Sequence, residues 1–249
     1  MKLRTLSALI VPLLALIAAP SGATTTAGSS AVDPRPAFGG LNSPIRPGSS
    51  LGGYCTFNFV FYDAVLDQGQ APTAYIGTAG HCTDKLGERV SLPGTGQIGT
   101  VVYDSDLVRS RVDFSLVRID DHLVGRTNPQ MRGFVGPTGA ATPSDLAVGD
   151  VVDVHGYGLV LGQNDVTRSR QGVLMTWNAD EYVINMPAVN GDSGSPILQD
   201  RSGKALGIVS RYGFFATPPS TDQGPLMPYV FRELKAAGFG DVVLATVQR

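Results

Sequence analysis

The chain has 249 residues, 43% of them hydrophobic, 16% charged and 8% aromatic, which is enough apolar material for a sizeable core and too little charge for a disordered tail protein. Glycine (31) and proline (17) are abundant without a G-X-Y period, which excludes collagen and favours a turn-rich, β-rich fold over long helical bundles. The formal charge of −2 leaves no basic surplus to grip phosphate, so nucleic acid is not expected as a partner.

Residues 1–23 read as a signal peptide. Lys2 and Arg4 precede an apolar stretch from Leu6 to Ala19, and Pro20, Ser21, Gly22 and Ala23 follow, with small residues where a signal peptidase cuts. The stretch is too short for a stable span, so the mature protein is expected to be secreted, extracellular and free of the membrane. Its net charge is then −4, from 17 basic and 21 acidic residues. Residues 24–50, rich in Thr, Gly, Ser and Pro, read as a linker, short propeptide or surface-hugging arm. Cys55 and Cys82 are the two cysteines, and an even pair in an exported chain reads as one disulfide rather than two buried thiols.

From Cys55 onward the pattern is that of short strands. Thr56–Phe61 alternates polar and apolar, predicting one buried face. Further strands are predicted at Tyr75–Thr78, Ile98–Tyr103, Phe114–Ile119, Val151–His155, Gly172–Trp177, Tyr182–Met186, Ser195–Leu198 and Leu206–Ser210, separated by Gly, Pro, Asp and Asn clusters. Such spacing means a sandwich or barrel, as one domain or two small barrels. A single helix is expected at Tyr229–Ala237, with Pro228 in its first turn, Val230, Phe231, Leu234 and Ala237 on one face, and Gly238 as its stop.

Three segments carry chemistry. Thr78-Ala79-Gly80-His81-Cys82-Thr83 puts a histidine at a strand end beside a cysteine, where a fixed imidazole competes with an ordinary satisfied one. Asp113 opens the apolar run Phe114–Ile119 and is either a turn acid or the orienter of a buried imidazole; Asp104 and Asp106 are its nearest competitors. Asn190-Gly191-Asp192-Ser193-Gly194-Ser195-Pro196 flanks a serine with glycines, so the backbone can turn tightly, expose the hydroxyl and aim the Gly191 and Ser193 amides into one pocket; the competing reading is an ordinary turn. The order His81, Asp113, Ser193 excludes α/β-hydrolases, because no histidine follows Ser193. Metal catalysis lacks H-E-x-x-H and Cys-x-x-Cys, so no cofactor or metal is expected, and His155 reads as structural.

On these motifs the chain, over about residues 50–249, resembles the chymotrypsin-like serine peptidases, in particular the secreted bacterial branch that includes streptogrisins and alpha-lytic protease. The resemblance implies an all-β fold of two six-stranded antiparallel β-barrels, about 51–125 and 126–249 of a 51–249 peptidase domain, with a short C-terminal helix. It implies a secreted serine endopeptidase, a monomer acting on protein or peptide substrates. Ser193 is then the nucleophile, His81 its base, Asp113 the orienter, and the Gly191 and Ser193 amides the oxyanion hole. Pro187, Ala188, Asn190, Ser210, Arg211 and Tyr212 line the substrate pocket; the sequence does not name the partner of Asp192, for which the bacterial branch offers an arginine in place of a new N terminus. Pro187 stands where trypsin-like members keep an acid, and Tyr212 where they keep a small residue. A blocked pocket would instead make the protein a catalytically latent extracellular binding module. Asn128–Gly133 reads as the inter-barrel loop.

Overall fold

A computed structural model describes residues 35–65, 72–106, 110–158, 168–213 and 221–249, with only the backbone of Tyr212 and Gly213. The expected signal peptide and residues 24–34 of the expected linker lie outside the described residues. In chain order the described residues form β1 Ser50–Leu51, β2 Cys55–Thr56, β3 Val60–Asp63, β4 Ala74–Thr78, β5 Arg89–Leu92, β6 Gly96–Asp104 and β7 Ser115–Ile119. The second half contributes β8 Val151–His155, β9 Ser169–Trp177, β10 Glu181–Asn185, β11 Pro196–Gln199, β12 Ala205–Ile208, β13 Arg211–Gly213 and β14 Thr221–Pro225, then helix α1 Met227–Ala236 and β15 Val242–Leu244. No described helix is long and apolar enough to cross a membrane.

The fold is all-β, two six-stranded antiparallel barrels of the chymotrypsin-like type. In the first, β3, β4, β7, β6 and β5 pair in that order. β2 runs on into β3 because Asn58 N donates to Gly77 O (2.8 Å) and Gly77 N to Phe59 O (3.0 Å). β1 folds back on β2, and Gly52 N donates to Ser91 O of β5 (3.1 Å), which closes the ring. In the second, β11, β8, β9, β10 and β14 are neighbours. β12 and β13 are two halves of one run broken at Val209-Ser210; the first half pairs with β11 and the second with β14, so six runs close the barrel. The seam is tight. A Cβ on Gly207 would lie 2.2 Å from Pro225 O, and one on Gly224 1.9 Å from Ile208 O, so only glycine permits this crossing.

Three expectations are corrected. Thr56–Phe61 buries both faces, not one: the three phenylalanines fill the first core, while Thr56 and Asn58 on the other face are covered and hydrogen-bonded. The second barrel does not run to residue 249. Met227, Val230 and Leu234 of α1 and Val242 and Leu244 of β15 join the first core, and β15 pairs with the edge of β3 (Val243↔Tyr62), which would otherwise stay open. Ala237 is exposed and lies off the apolar face, although the helix does stop at Gly238, which has φ +94°.

Residues 35–50 do not hang free as a linker. Ile45 is fully buried and bridges Thr127, and Asn128 N donates to Ile45 O (2.8 Å). The Arg46 guanidinium donates to the carbonyls of Leu41, Gln130 and Met131. Burial, with Arg132 nearby, lowers its pKa to about 10. The inter-barrel stretch is therefore a dock for the incoming arm.

Cys55 and Cys82 form a disulfide that ties β2 to the loop after β4, across a sequence separation of 27. The double variant Cys55→Ser/Cys82→Ser is expected to lose roughly 3–4 kcal/mol of unfolding free energy by the chain-entropy estimate. Urea denaturation of the two proteins measures it.

Candidate active site

β4 is buried along its whole length and delivers Ala79, Gly80 and His81 at its end. The chain then takes a 3₁₀ turn, Gly80–Cys82, closed by Cys82 N donating to Ala79 O (3.1 Å) and held by the disulfide. A Cβ on Gly80 would sit 2.7 Å from Ser105 Oγ and 3.1 Å from Asp113 Oδ1, so this position has room only for glycine. The His81 side chain remains 42% exposed, at the rim of an open cleft whose walls include Arg111, Glu181, Ser210 and Arg211.

Asp113 is the one described non-glycine residue with positive φ (+49°), a left-handed bend just before β7. Phe114 N donates to Ser105 Oγ (2.8 Å) and Ser105 N to Phe114 O (3.0 Å), which holds the bend. The carboxylate turns back to His81: Oδ1 accepts from the His81 backbone N–H (3.0 Å) and lies 3.0 Å from ring Nδ1, with Oδ2 at 3.1 Å. Oδ2 also accepts the hydroxyl of Ser210, which comes from the second barrel. Burial alone would raise the Asp113 pKa, but the hydrogen bonds from His81 and Ser210 outweigh it and hold the carboxyl below its ordinary value. The same hydrogen bond raises the His81 pKa. The competing acids are placed otherwise. Asp104 accepts from Thr83 Oγ1 (2.7 Å) and Asp106 N (2.9 Å), and Asp106 makes no hydrogen bond to the ring.

Ser193 is half-buried on a loop bent by Gly191 (φ +102°) and Gly194 (φ +85°). Thr56 fastens this loop to the first barrel: its N–H donates to Ser193 O (2.8 Å) and its hydroxyl to Gly191 O (2.8 Å). Cys82 Sγ lies 3.9 Å from Ser193 O, and a Cβ on Gly194 would be 3.0 Å from Ala79 N, so the serine backbone abuts the His81 turn. The loop's amides divide into two sets. Those of Asp192, Gly194 and Ser195 donate to Val189 O, Val209 O and Asp192 O, while those of Gly191 and Ser193 have no protein acceptor among the described residues.

Asp192 is fully buried. Its Oδ1 accepts from Gly158 N (2.9 Å) and its Oδ2 from Val189 N (2.9 Å). Arg170 NH2 of β9 lies 2.6 Å from Oδ1, an ion pair whose angle is not that of a hydrogen bond. The partner of Asp192 is thus an arginine.

Of the expected pocket residues, Pro187 and Asn190 are exposed and Ala188 is half-buried on the approach to the loop. Ser210 is buried on Asp113, and Arg211 is exposed and ion-paired with Glu181. The Tyr212 side chain lies outside the described residues. Thr56, Arg170 and Asp222 were not anticipated. Asp222, in β14, is fully buried with neither carboxylate oxygen hydrogen-bonded; burial pushes its pKa up to about 7, the Asp192 charge adds to the rise and Arg170 offsets part of it. Among the described residues the one grouping of three potential metal ligands is Cys55, His81 and Cys82, and two of its three atoms are the sulfurs of the disulfide.

No protein-family model matches the chain, and no curated protein matches it in sequence. Solved structures do. Thermobifida fusca protease A aligns at 22% identity and TM-score 0.57, over 82% of this chain and 99% of its own. Nocardiopsis protease aligns at 21% and 0.56 (80% and 98%), and a glutamic acid-specific serine protease with a histidine triad in substrate binding at 19% and 0.55 (81% and 100%). The chain has the fold of these bacterial chymotrypsin-like serine proteases.

Because the Asp113 contact raises the His81 pKa, it stabilises the fold fully below the ordinary value of 6.5, and that stabilisation is lost as pH rises through the folded value. Asp113→Asn is expected to bring the His81 midpoint down, read from the imidazole proton shifts over pH 5–9.

Proposed function

We propose that the protein is a secreted serine endopeptidase that cleaves peptide bonds through an acyl-enzyme formed on Ser193. The observation that carries this reading is an imidazole oriented by Asp113 on a turn that abuts a serine loop, in which the Gly191 and Ser193 amides have no protein acceptor among the described residues. The shared fold with solved proteases supports it.

In this reading Ser193 Oγ attacks the substrate carbonyl carbon while His81 Nε2 takes the hydroxyl proton. Asp113, bound at Nδ1, fixes the tautomer that leaves Nε2 free to accept, and stabilises the imidazolium once it forms. The carbonyl oxygen, now negative, is taken by the Gly191 and Ser193 amides, a stabilisation of about 3 kcal/mol per donor in comparable sites. The tetrahedral intermediate collapses, His81 gives its proton to the leaving amine, and water repeats the sequence on the ester. Among the described residues β13 is paired only with β14, so its other edge can add a substrate strand beside His81. The Asp192–Arg170 pair holds the loop without a newly cut N terminus. The 1–23 segment supports export, and the protein is taken to act as a monomer on proteins or peptides.

A fluorophosphonate probe, read by intact mass, is expected to add one label to the mature protein and none to Ser193→Ala. Folded, disulfide-bonded protein that takes no label would refute the reading. On a peptide substrate, Asp113→Asn is expected to lower kcat by about 10⁴-fold.

A further inference from the structure

The second barrel encloses an acid that the chemistry above does not use. In the sheet register Asp222 stands between Ile184 of β10 and Tyr212 of β13. Ile184 and its β9 neighbour Leu174 are fully buried in the second core, so Asp222, also fully buried, shares their inward face. Alternation along β9 brings Gly172 and Arg170 to that face as well. Gly172 contributes no side chain, and a Cβ there would lie 2.8 Å from that of Met186.

Among the described residues, few charged or titratable groups act on this acid. Asp192 comes from the nucleophile loop and Arg170 from β9. Tyr182 of β10 is also close enough to feel the Asp222 charge, and Tyr182 in turn feels Arg211 of β13. The Tyr182 hydroxyl is committed to Ile208 O (2.6 Å) and is no donor to Asp222. Arg170 forms an ion pair with Asp192 through Nη2, and neither Nη2 nor Nε has a hydrogen-bond partner. Arg170 is thus the cation paired with Asp192, and it lies on the inward face that Asp222 also occupies, while Asp222 itself has no hydrogen-bond partner.

We propose that Asp222 is a positioning residue for the peptidase reaction: as a neutral acid it leaves Arg170 undivided to Asp192, and once ionised it draws on the same guanidinium, repels Asp192 and loosens the loop that carries the Gly191 and Ser193 amides. This rests on the peptidase reading for its catalytic consequence but not for the coupling itself. The physical ground is that two like charges sharing one buried site cannot both be accommodated, so ionising the second strains the first. The elevated pKa of about 7 puts the transition in the neutral range.

The test compares the wild-type protein with Asp222→Asn, which copies the shape of the neutral acid. In the wild type the backbone amide resonances of Gly191 and Ser193 are expected to titrate in two steps, one following His81 and one with a midpoint near 7. In Asp222→Asn only the His81 step remains. The rate of Ser193 labelling is expected to fall in the wild type as pH rises from about 7 to about 9, and to hold level in Asp222→Asn. Identical amide titrations in the two proteins overturn the proposal. So does loss of the second step with no change in the labelling profile, since Asp222 would then be structural only. If neither protein is labelled at any pH, the peptidase reading fails and with it the catalytic role of Asp222, while the amide titration still decides whether Asp222 and the loop are coupled.

Discussion

The site depends on one residue of the first barrel, Thr56, which grips a loop of the second. Its N–H and its hydroxyl hold the carbonyls of Ser193 and Gly191, its hydroxyl accepts the Tyr157 N–H (2.8 Å), and its own carbonyl accepts from Thr78 Oγ1 (2.9 Å). Fixing those two carbonyls sets alternate peptide planes of the loop. The plane between them carries the Ser193 N–H and the plane just before the first carries the Gly191 N–H, and these two are the ones left without a protein acceptor among the described residues. The proposed oxyanion site is what is left once the amides of Asp192, Gly194 and Ser195 have taken their acceptors. Thr56 can do this because it is fully buried, where water does not compete, and because the neighbouring Cys55 is covalently bound to the turn that holds His81.

A second bond crosses between the barrels at the acid. Asp113 takes two donors from the His81 residue and one from Ser210 of the other barrel. The bond therefore orients the imidazole and fixes the spacing of the two halves. The left-handed backbone at Asp113 is the local strain that this arrangement retains, and such strain persists where surrounding contacts over-determine the position.

Local patterns made much of this readable in the sequence. Val151–His155 coincides with β8, the other predicted strands overlap β2–β4, β6, β7 and β9–β12, and the helix lies within a residue or two of its expected ends. The His81, Asp113 and Ser193 segments stand out by their chain order, and the first and last by their neighbouring glycines, which a one-dimensional string preserves. What it hid was pairing at long range. β1, β5, β13, β14 and β15 are short or polar and become strands through their neighbours, as with Thr221-Asp222-Gln223-Gly224-Pro225, which has no apolar alternation to announce it. Arg170 and Thr56 look unremarkable in sequence, because their roles lie in partners 22 and 135 positions away. The polar, proline-rich composition of residues 24–50 leaves linker, propeptide and surface-hugging arm open, and it is the buried Ile45 that makes the described part of it an arm.

The pairing of β15 with β3 sets an order on synthesis. Strand β3 is made early, yet its outer edge has no partner until residue 244 has emerged, and the apolar face of α1 has nothing to lie against until it reaches the same barrel. The first barrel is therefore completed last. A nascent chain halted before residue 242 would present an open strand edge and uncovered aromatic side chains, including Phe61, which packs edge-on against Phe231 of the helix. Cellular quality control would meet its most vulnerable intermediate at that stage, when the remaining strands of the barrel have already been made.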